Sequence, residues 1–172
     1  MVGTAGFSVR RISSPTIQIV SGTPYVRYNE PNTTSDPISV KKWNGTDWEF
    51  IGKESTLNGD GGGSVMKIVN NIPYLLTSNW LYKFNGTDWE KMGNSISTPQ
   101  ALDFDGNTPY TAYKAGETLV VYKYNGTSFE RVGGSVSTSG NPNYISLAIN
   151  NGTPYIVPER KHITHLNTDS YH

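Results

Sequence analysis

The sequence predicts an all-β protein that repeats one antiparallel unit along its length. Two motifs carry this prediction. The first recurs about 40 residues apart as WNGTDWE at residues 43–49, FNGTDWE at 84–90 and YNGTSFE at 124–130. The second interleaves with it as GTPY at 22–25, NIPY at 71–74, NTPY at 107–110 and GTPY at 152–155. No stretch shows helical periodicity, and the abundant Gly, Asn, Ser and Thr are typical of short strands joined by turns.

The first two strands of the unit are predicted from the residues around each proline. Apolar residues stand seven and five positions before the proline, and this alternation predicts a strand with one apolar face. These residues are Ile17 and Ile19, Met66 and Ile68, Leu102 and Phe104, and Leu147 and Ile149. A turn follows, and proline then opens the second strand, where it need not donate a hydrogen bond to the sheet.

The third and fourth strands flank the Asn-Gly motif. An apolar residue stands four positions before each Asn, at Val40, Leu81, Val121 and Ile163. We expect each Asn-Gly pair to form a two-residue type I′ turn, because both residues accept positive φ. The fourth strand then runs from Trp48, Trp89 or Phe129 to a closing glycine, which is Gly52, Gly93 or Gly133.

Four short antiparallel strands in about 40 residues are the size of one propeller blade. We therefore predict a single β-propeller domain over residues 1–172, with four repeats of a four-stranded antiparallel blade. The blades cover approximately residues 13–52, 64–93, 98–133 and 143–172, and residues 1–3 are expected to complete the last one. The alternative is a β-sandwich with similar hairpins, which the fixed order of the two motifs disfavours.

The last blade can be completed in two ways. In a four-bladed monomer, which we favour, residues 1–3 close the ring of their own chain. In the other arrangement a homodimer forms a larger ring, and each chain end completes a blade of its neighbour. A solution mass near twice 18.9 kDa would exclude the monomer.

Composition excludes several classes of partner. The chain has 14 basic and 14 acidic residues, so neither nucleic acid nor an anionic membrane surface is an expected partner. No apolar run is long enough to insert into a membrane. Cysteine is absent, which excludes disulfides and thiolate metal sites. The N-terminal residues lack the order of a signal peptide, so an exported form would be a mature or excised piece.

The sequence does not predict an enzyme. No pair of carboxylates and no Ser, His and Asp set stands out from the repeat, so we expect no catalytic residue and no cofactor. His162 and His165 differ by an odd number of positions on a predicted strand and so point to opposite sides of the sheet. We therefore expect no metal site.

The candidate ligand-binding residues lie in the loops that differ between repeats. In a blade, the turns between strands one and two and between strands three and four share one face, and the other connections share the opposite face. The repeated motifs fall on the first face, and repeat proteins often place function on the variable one. Aromatic rings there suit stacking on a sugar, and amides or charged groups suit its hydroxyls. The candidates are Trp80, Tyr144, Asn143, Asn58, Asp60, Arg10 and Arg160.

The two motifs together resemble the propeller repeats of secreted and surface-anchored bacterial proteins, and the architecture is similar to Kelch-like and lectin propellers. The resemblance covers nearly the whole chain. It departs at Ile72, Thr77 and Pro158, and at residues 167–169, where the fourth Asn lacks its Gly. The resemblance is specific for the fold and not for the ligand. With the aromatic and polar loop residues named above, we expect a secreted or cell-surface binding module that recognises carbohydrate between blades or on the variable loops. The alternative is a protein-interaction module on the same face.

Overall fold

The computed structural model describes residues 8, 10–30, 36–54, 57–58, 64–138 and 144–158. In this part of the chain the protein is all-β, with no helix. The strands form four separate antiparallel sheets, one for each repeat, which we number sheets 1 to 4 in chain order.

Sheets 1 and 2 come from the first two repeats. Sheet 1 contains β1 (Ser13–Val20), β2 (Thr23–Asn29), β3 (Pro37–Trp43) and β4 (Trp48–Phe50), and the short β5 (Leu57–Asn58) also pairs with β3. Sheet 2 contains β6 (Val65–Val69), β7 (Ile72–Leu76), β8 (Leu81–Phe84) and β9 (Trp89–Met92). In both, each strand pairs with the next along the chain. The predicted order of four strands is therefore confirmed.

Sheets 3 and 4 come from the last two repeats. Sheet 3 contains β10 (Ala101–Asp105), β11 (Thr108–Ala115), β12 (Thr118–Tyr124) and β13 (Phe129–Ser137). Sheet 4 contains β14 (Ile145–Asn150) and β15 (Thr153–Pro158). The predicted third and fourth strands of sheet 4, with Ile163 and residues 167–169, lie outside the described residues, as do residues 1–3.

The fourth strand of sheet 3 is longer than predicted. It was expected to end at Gly133, but β13 continues to Ser137. The reason is the tight turn at residues 116–117, which lengthens β11 and β12 and gives β13 a partner for its extra residues. Thr118 pairs with Ser137 and Leu119 with Val136.

Three of the four hairpins between the first and second strands have the type I′ geometry. Their two-residue loops have positive φ at both positions, at Ser21-Gly22, Asn70-Asn71 and Asn151-Gly152. In sheet 3 only Gly106 has positive φ. The proline is the second residue of its strand rather than the first, and pairing with the third strand begins one residue later, for example at Tyr25↔Lys42.

The hairpins between the third and fourth strands are not type I′ turns, which corrects the prediction. Gly45 has a φ of 104°, but Asn44 does not have positive φ. Instead, the loop spans residues 44–47, and the Asn44 side-chain oxygen accepts the N–H groups of Thr46 at 2.9 Å and Asp47 at 2.8 Å. An Asn side chain can hydrogen-bond the backbone two or three residues ahead, and here that option replaces positive φ. The same bonds form at Asn85 and Asn125.

Successive sheets pack face to face, and a hydrophobic core lies in each gap. Sheets 1 and 2 enclose Tyr25, Val40 and Met66, sheets 2 and 3 enclose Leu76 and Leu102, and sheets 3 and 4 enclose Tyr110 and Ile145. In sheets 2, 3 and 4, the residues seven and five positions before the proline face the preceding sheet. In sheets 1, 2 and 3, the tyrosine after the proline faces the following sheet; the ring centroids of Tyr74 and Phe104 are 4.8 Å apart.

The first strands of successive sheets lie beside one another, β1 next to β6, β6 next to β10, and β10 next to β14. Polar bonds connect them at one repeated position, six residues before each proline. The Gln18 amide donates to the Met66 carbonyl at 2.8 Å, and Lys67 donates to Asp103 at 3.3 Å. Asp103 also accepts the backbone N–H of Ile149 at 2.8 Å. Successive sheets are therefore joined in register through their first strands.

The closing glycines Gly52 and Gly93 pack against aromatic side chains of the next sheet. Gly52 has a φ of 76°, and a Cβ there would lie 2.8 Å from the Trp89 ring. The Trp89 indole N–H also donates to the Ile51 carbonyl at 3.0 Å. Gly93 meets Tyr124 and Phe129 in the same way at 3.2 and 3.3 Å. These glycines serve inter-sheet packing as well as the chain bend.

The two ends of the stack remain open among the described residues. On sheet 1, Ile17 and Ile19 are 61% and 69% exposed, and on sheet 4, Tyr155 and Val157 are 57% and 63% exposed. A ring of four sheets would bury these side chains against one another. Residues 1–3 and the last two strands of the fourth repeat, which were predicted to close the ring within one chain, lie outside the described residues, so that closure stays a prediction.

Candidate functional site

Each described hairpin between the third and fourth strands presents an Asn side chain bonded to the Glu five residues later, and in sheet 1 a Lys joins this pair. In sheet 1, Lys42 forms an ion pair with Glu49 at 2.9 Å, and the Asn44 amide donates to the same carboxylate at 3.4 Å. These hydrogen bonds, the one from Lys42 above all, lower the pKa of Glu49 below its usual value. The amide-to-carboxylate bond repeats at Asn85–Glu90, 2.6 Å, and Asn125–Glu130, 2.5 Å.

A cleft opens beside this cluster, between sheets 1 and 2. Its cavity volume is about 290 Å³. The lining combines aromatic rings with charged and amide groups and includes Tyr25, Lys42, Glu49, Phe50, Asn71 and Phe84. It lies on the face that carries the repeated turns, since Asn71 belongs to one turn type and Glu49 follows the other.

Two further depressions, equivalent to each other, lie on the same face, one on sheet 1 and one on sheet 3. One is lined by Thr23, Lys42, Trp43 and Asn44, and the other by Thr108, Lys123, Tyr124 and Asn125. Each places a Lys and an Asn side chain beside an aromatic ring. Sequence reasoning interpreted these residues as turn and core chemistry and did not predict this surface. The repeated Lys and Glu at paired positions were the available signal.

Trp80 lies just before β8, in the short loop after β7, as predicted. Its backbone carbonyl accepts the Thr77 N–H at 2.8 Å, which fixes the loop. The Lys91 ammonium lies 4.2 Å from the ring centroid, so a cation–π contact covers one side of the indole. The ring is half-buried. A ligand would therefore have to use the remaining exposed part of the ring or displace Lys91.

Tyr144 is 70% exposed and precedes β14. It lines a shallow depression with Ser146, Val157 and Pro158. Trp80 belongs to sheet 2 and Tyr144 to sheet 4, and sheet 3 lies between them in the stack. The two predicted aromatic residues are thus not brought into one site.

The other predicted residues divide into two groups. Arg10 is exposed, and its backbone N–H bonds to the Ser8 hydroxyl at 3.3 Å. The backbone of Asn58 pairs with Pro37 of β3, so β5 covers the end of sheet 1. Asn143, Asp60 and Arg160 lie outside the described residues. Arg10 and the backbone of Asn58 belong to the sheet 1 region, whereas Trp80 and Tyr144 lie on sheets 2 and 4, so the structure does not bring the four described candidates into one site.

A buried polar cluster was not predicted; it lies in sheet 1 where β2 ends and where β1 and β3 begin. Arg27 is 2% exposed where the other repeats have the apolar Leu76, Ala112 and Val157. Its guanidinium donates to the Ser14 carbonyl at 2.8 Å and to the Asn29 side chain. Burial lowers the pKa of Arg27 to about 10. The break in the apolar pattern was the sequence signal.

Glu30 and Tyr28 belong to the same cluster and are 2% and 0% exposed. Glu30 accepts hydrogen bonds from the hydroxyls of Ser8 at 3.2 Å and Ser39 at 3.5 Å. Burial raises the pKa of Tyr28 to about 12, and the Glu30 charge adds to that shift. These bonds hold the ends of the first three strands of sheet 1 together, which is a structural role.

The described residues contain no group of three or more His, Cys, Asp or Glu that could hold a metal ion. In the same part of the chain no helix is long and apolar enough to span a membrane.

The fold and its surface define a class: an all-β repeat protein whose antiparallel sheets stack through their first strands, with shallow polar and aromatic clefts at the repeated turns. No protein family, curated protein or solved structure was found to match the chain.

Proposed function

We propose that this chain is a propeller-type binding module that recognises carbohydrate in the clefts at its repeated turns. The arrangement of first strands supports the propeller, because sheets that approach through their innermost strands fan out around an axis. The module is non-enzymatic and belongs to an exported or surface protein. Its partner is a carbohydrate.

The cleft between sheets 1 and 2 carries this proposal. The partly exposed Phe50 and Phe84 supply apolar ring surface, and Lys42, Glu49 and Asn71 supply donors and acceptors beside it. Sugars present both an apolar ring face and fixed hydroxyls, and such a combination meets both needs. The shallow, open form of the related depressions suits an extended polymer better than a small buried ligand.

Repetition strengthens the proposal. The Asn-to-Glu bond holds each carboxylate in the same place beside its hairpin in three repeats. Equal sites at equal spacing would bind a repeating polysaccharide more tightly than any single site, because later contacts are intramolecular. This surface replaces the variable-loop residues as the leading site, and Trp80 remains the second candidate.

The test is binding of the labelled protein to an array of glycans and polysaccharides at high protein density. We expect a competable signal for one sugar class. The variant Glu49→Gln/Glu90→Gln/Glu130→Gln should weaken it at least tenfold, because the sugar hydroxyls lose their charged acceptors. Glu117→Gln is the matched control, since Glu117 is exposed in the turn between β11 and β12; binding should be unchanged.

Two results would redirect the proposal. Loss of binding in a folded Trp80→Ala variant, with the triple variant unaffected, would place the site on the variable loops. A blank array with folded protein would reject carbohydrate and favour the alternative, a protein-interaction module. The exposed ring of Tyr144 on that face is the observation that favours this alternative.

A further inference from the structure

We propose that the open face of sheet 4 docks on the open face of sheet 1 of a second copy of this chain, and that two copies close a ring. The four side chains concerned are Ile17, Ile19, Tyr155 and Val157, which are between 57% and 69% exposed. They form two apolar faces at opposite ends of the stack. Apolar side chains grouped in this way mark an interaction surface rather than ordinary surface variation.

The inner junctions of the molecule show what covers each face. Tyr155 occupies the position of Tyr25, Tyr74 and Tyr110, each of which is at most 8% exposed and packs on the following sheet. Ile19 occupies the position of Ile68, Phe104 and Ile149, which pack on the preceding sheet. Among the described residues, the face of sheet 4 thus lacks a following sheet, and the face of sheet 1 lacks a preceding one.

The two open faces also match in their polar positions. At the position where Gln18, Lys67 and Asp103 bond to the following sheet, sheet 4 has Ala148. An alanine there leaves no charge or amide to be buried without a partner when Ile17 and Ile19 cover it. The junction between sheet 4 and sheet 1 can therefore form from apolar contacts alone.

The occupant is a second copy because, in the part of the chain that the structure describes, one chain does not bring its own two faces together. The same surfaces would be buried in a ring of four sheets, and they are exposed here. Each copy offers one face of each kind, so two copies can make two identical head-to-tail junctions and leave no face open. The resulting ring has eight sheets, which is within the range of four to eight blades known for propellers.

The test is the solution mass by sedimentation equilibrium over a wide range of protein concentration. We expect a mass of twice 18.9 kDa at the higher concentrations. Ile17→Lys and Val157→Lys should each give the monomer mass, because each places a charge in both junctions of the ring. Val136→Lys is the control: Val136 is 50% exposed on β13, away from both faces, and the dimer should persist.

Mixing the two single variants separates this arrangement from any other dimer. The Ile17→Lys chain keeps an intact sheet 4 face, and the Val157→Lys chain keeps an intact sheet 1 face. An equimolar mixture should therefore recover a one-to-one dimer through a single junction, weaker than the parent dimer, whereas neither variant dimerises alone. Ile19→Lys and Tyr155→Lys repeat the experiment if one of the first variants does not fold.

Three outcomes would overturn the proposal. These are a monomer mass at every concentration, a dimer that survives both end-face variants, and a mixture that remains monomeric. The mass readout does not involve carbohydrate, so its failure is separate from failure of the proposed binding function.

Discussion

The asparagine of each hairpin between the third and fourth strands shows how a single side chain sets local shape. Its oxygen accepts two backbone N–H groups and its amide donates to the glutamate five residues later; at Asn85 these bonds are 2.9, 2.8 and 2.6 Å long. The sequence correctly placed a hairpin at Asn-Gly. The sequence predicted the wrong turn type, because Asn is favoured both at positions with positive φ and at positions where its side chain accepts backbone N–H groups.

We expect Asn85→Ala to lower the free energy of unfolding by about 1 kcal/mol, because three hydrogen bonds at an exposed turn are replaced by bonds to water. Urea unfolding followed by tryptophan fluorescence measures this. Thr87→Ala is the control in the same loop and should change stability much less. Equal losses in the two variants would show that the Asn side chain does not stabilise the turn.

At the scale of one strand end, the closing glycines connect neighbouring repeats. Their spacing in the sequence predicted where the fourth strand ends, and this was correct in sheet 2, where β9 ends at Met92 just before Gly93. It did not predict that Gly52 provides the space for Trp89 of the next sheet. That contact joins residues far apart in the chain, so local patterns do not reveal it.

Gly52→Ala and Gly133→Ala form a matched pair, because both glycines have positive φ, 76° and 66°. At Gly52 a Cβ would lie 2.8 Å from the Trp89 ring, whereas at Gly133 it would meet nothing within 4 Å. We expect a loss of about 1 kcal/mol for Gly133→Ala from backbone strain and about 3 kcal/mol for Gly52→Ala, where overpacking adds to it. Thermal and urea unfolding measure both.

A loss at Gly52 no larger than that at Gly133 would mean that Trp89 moves aside freely. A shifted tryptophan fluorescence maximum in the Gly52→Ala variant, with no shift in Gly133→Ala, would support the same conclusion, since the indole would have left its surroundings.

Across the whole molecule, Asp103 connects three sheets. From β10 it bonds to Lys67 of β6 at 3.3 Å and to the backbone N–H of Ile149 in β14 at 2.8 Å. The ion pair with Lys67 is partly exposed, with side chains 38% and 23% accessible, so salt screens it. The bond to the backbone N–H is the stronger contribution because that donor is otherwise left without a partner in the junction.

We expect Asp103→Ala to cost about 2 kcal/mol of unfolding free energy, because the Ile149 N–H loses its acceptor. Asp103→Asn keeps an oxygen for that N–H and should cost clearly less. Lys67→Met, which removes only the ion pair, should cost under about 1 kcal/mol. The losses of unfolding free energy measured in urea should decrease in the order Asp103→Ala, Asp103→Asn, Lys67→Met. A loss for Lys67→Met as large as that for Asp103→Ala would contradict the argument.

The sequence by itself determined the elements that depend on near neighbours. The alternation of Met66 and Ile68 predicted β6, and the Asn-Gly motif predicted the hairpin from β8 to β9; both lie where expected. Strand order followed, because short turns force neighbouring strands to pair. The variable-loop site was predicted less well: Trp80 and Tyr144 lie on the expected loops but on sheets 2 and 4, without a shared site.

Only the tertiary structure decided how the sheets meet and what their junctions expose. Identical alternation in β1 and β6 leaves Ile17 61% exposed and Met66 4% exposed, because burial depends on whether a preceding sheet is present. The cleft beside Glu49 likewise exists because Phe84 of the next sheet stands opposite it. Both features arise from contacts between residues distant in the chain, and side-chain periodicity within one strand carries no information about them.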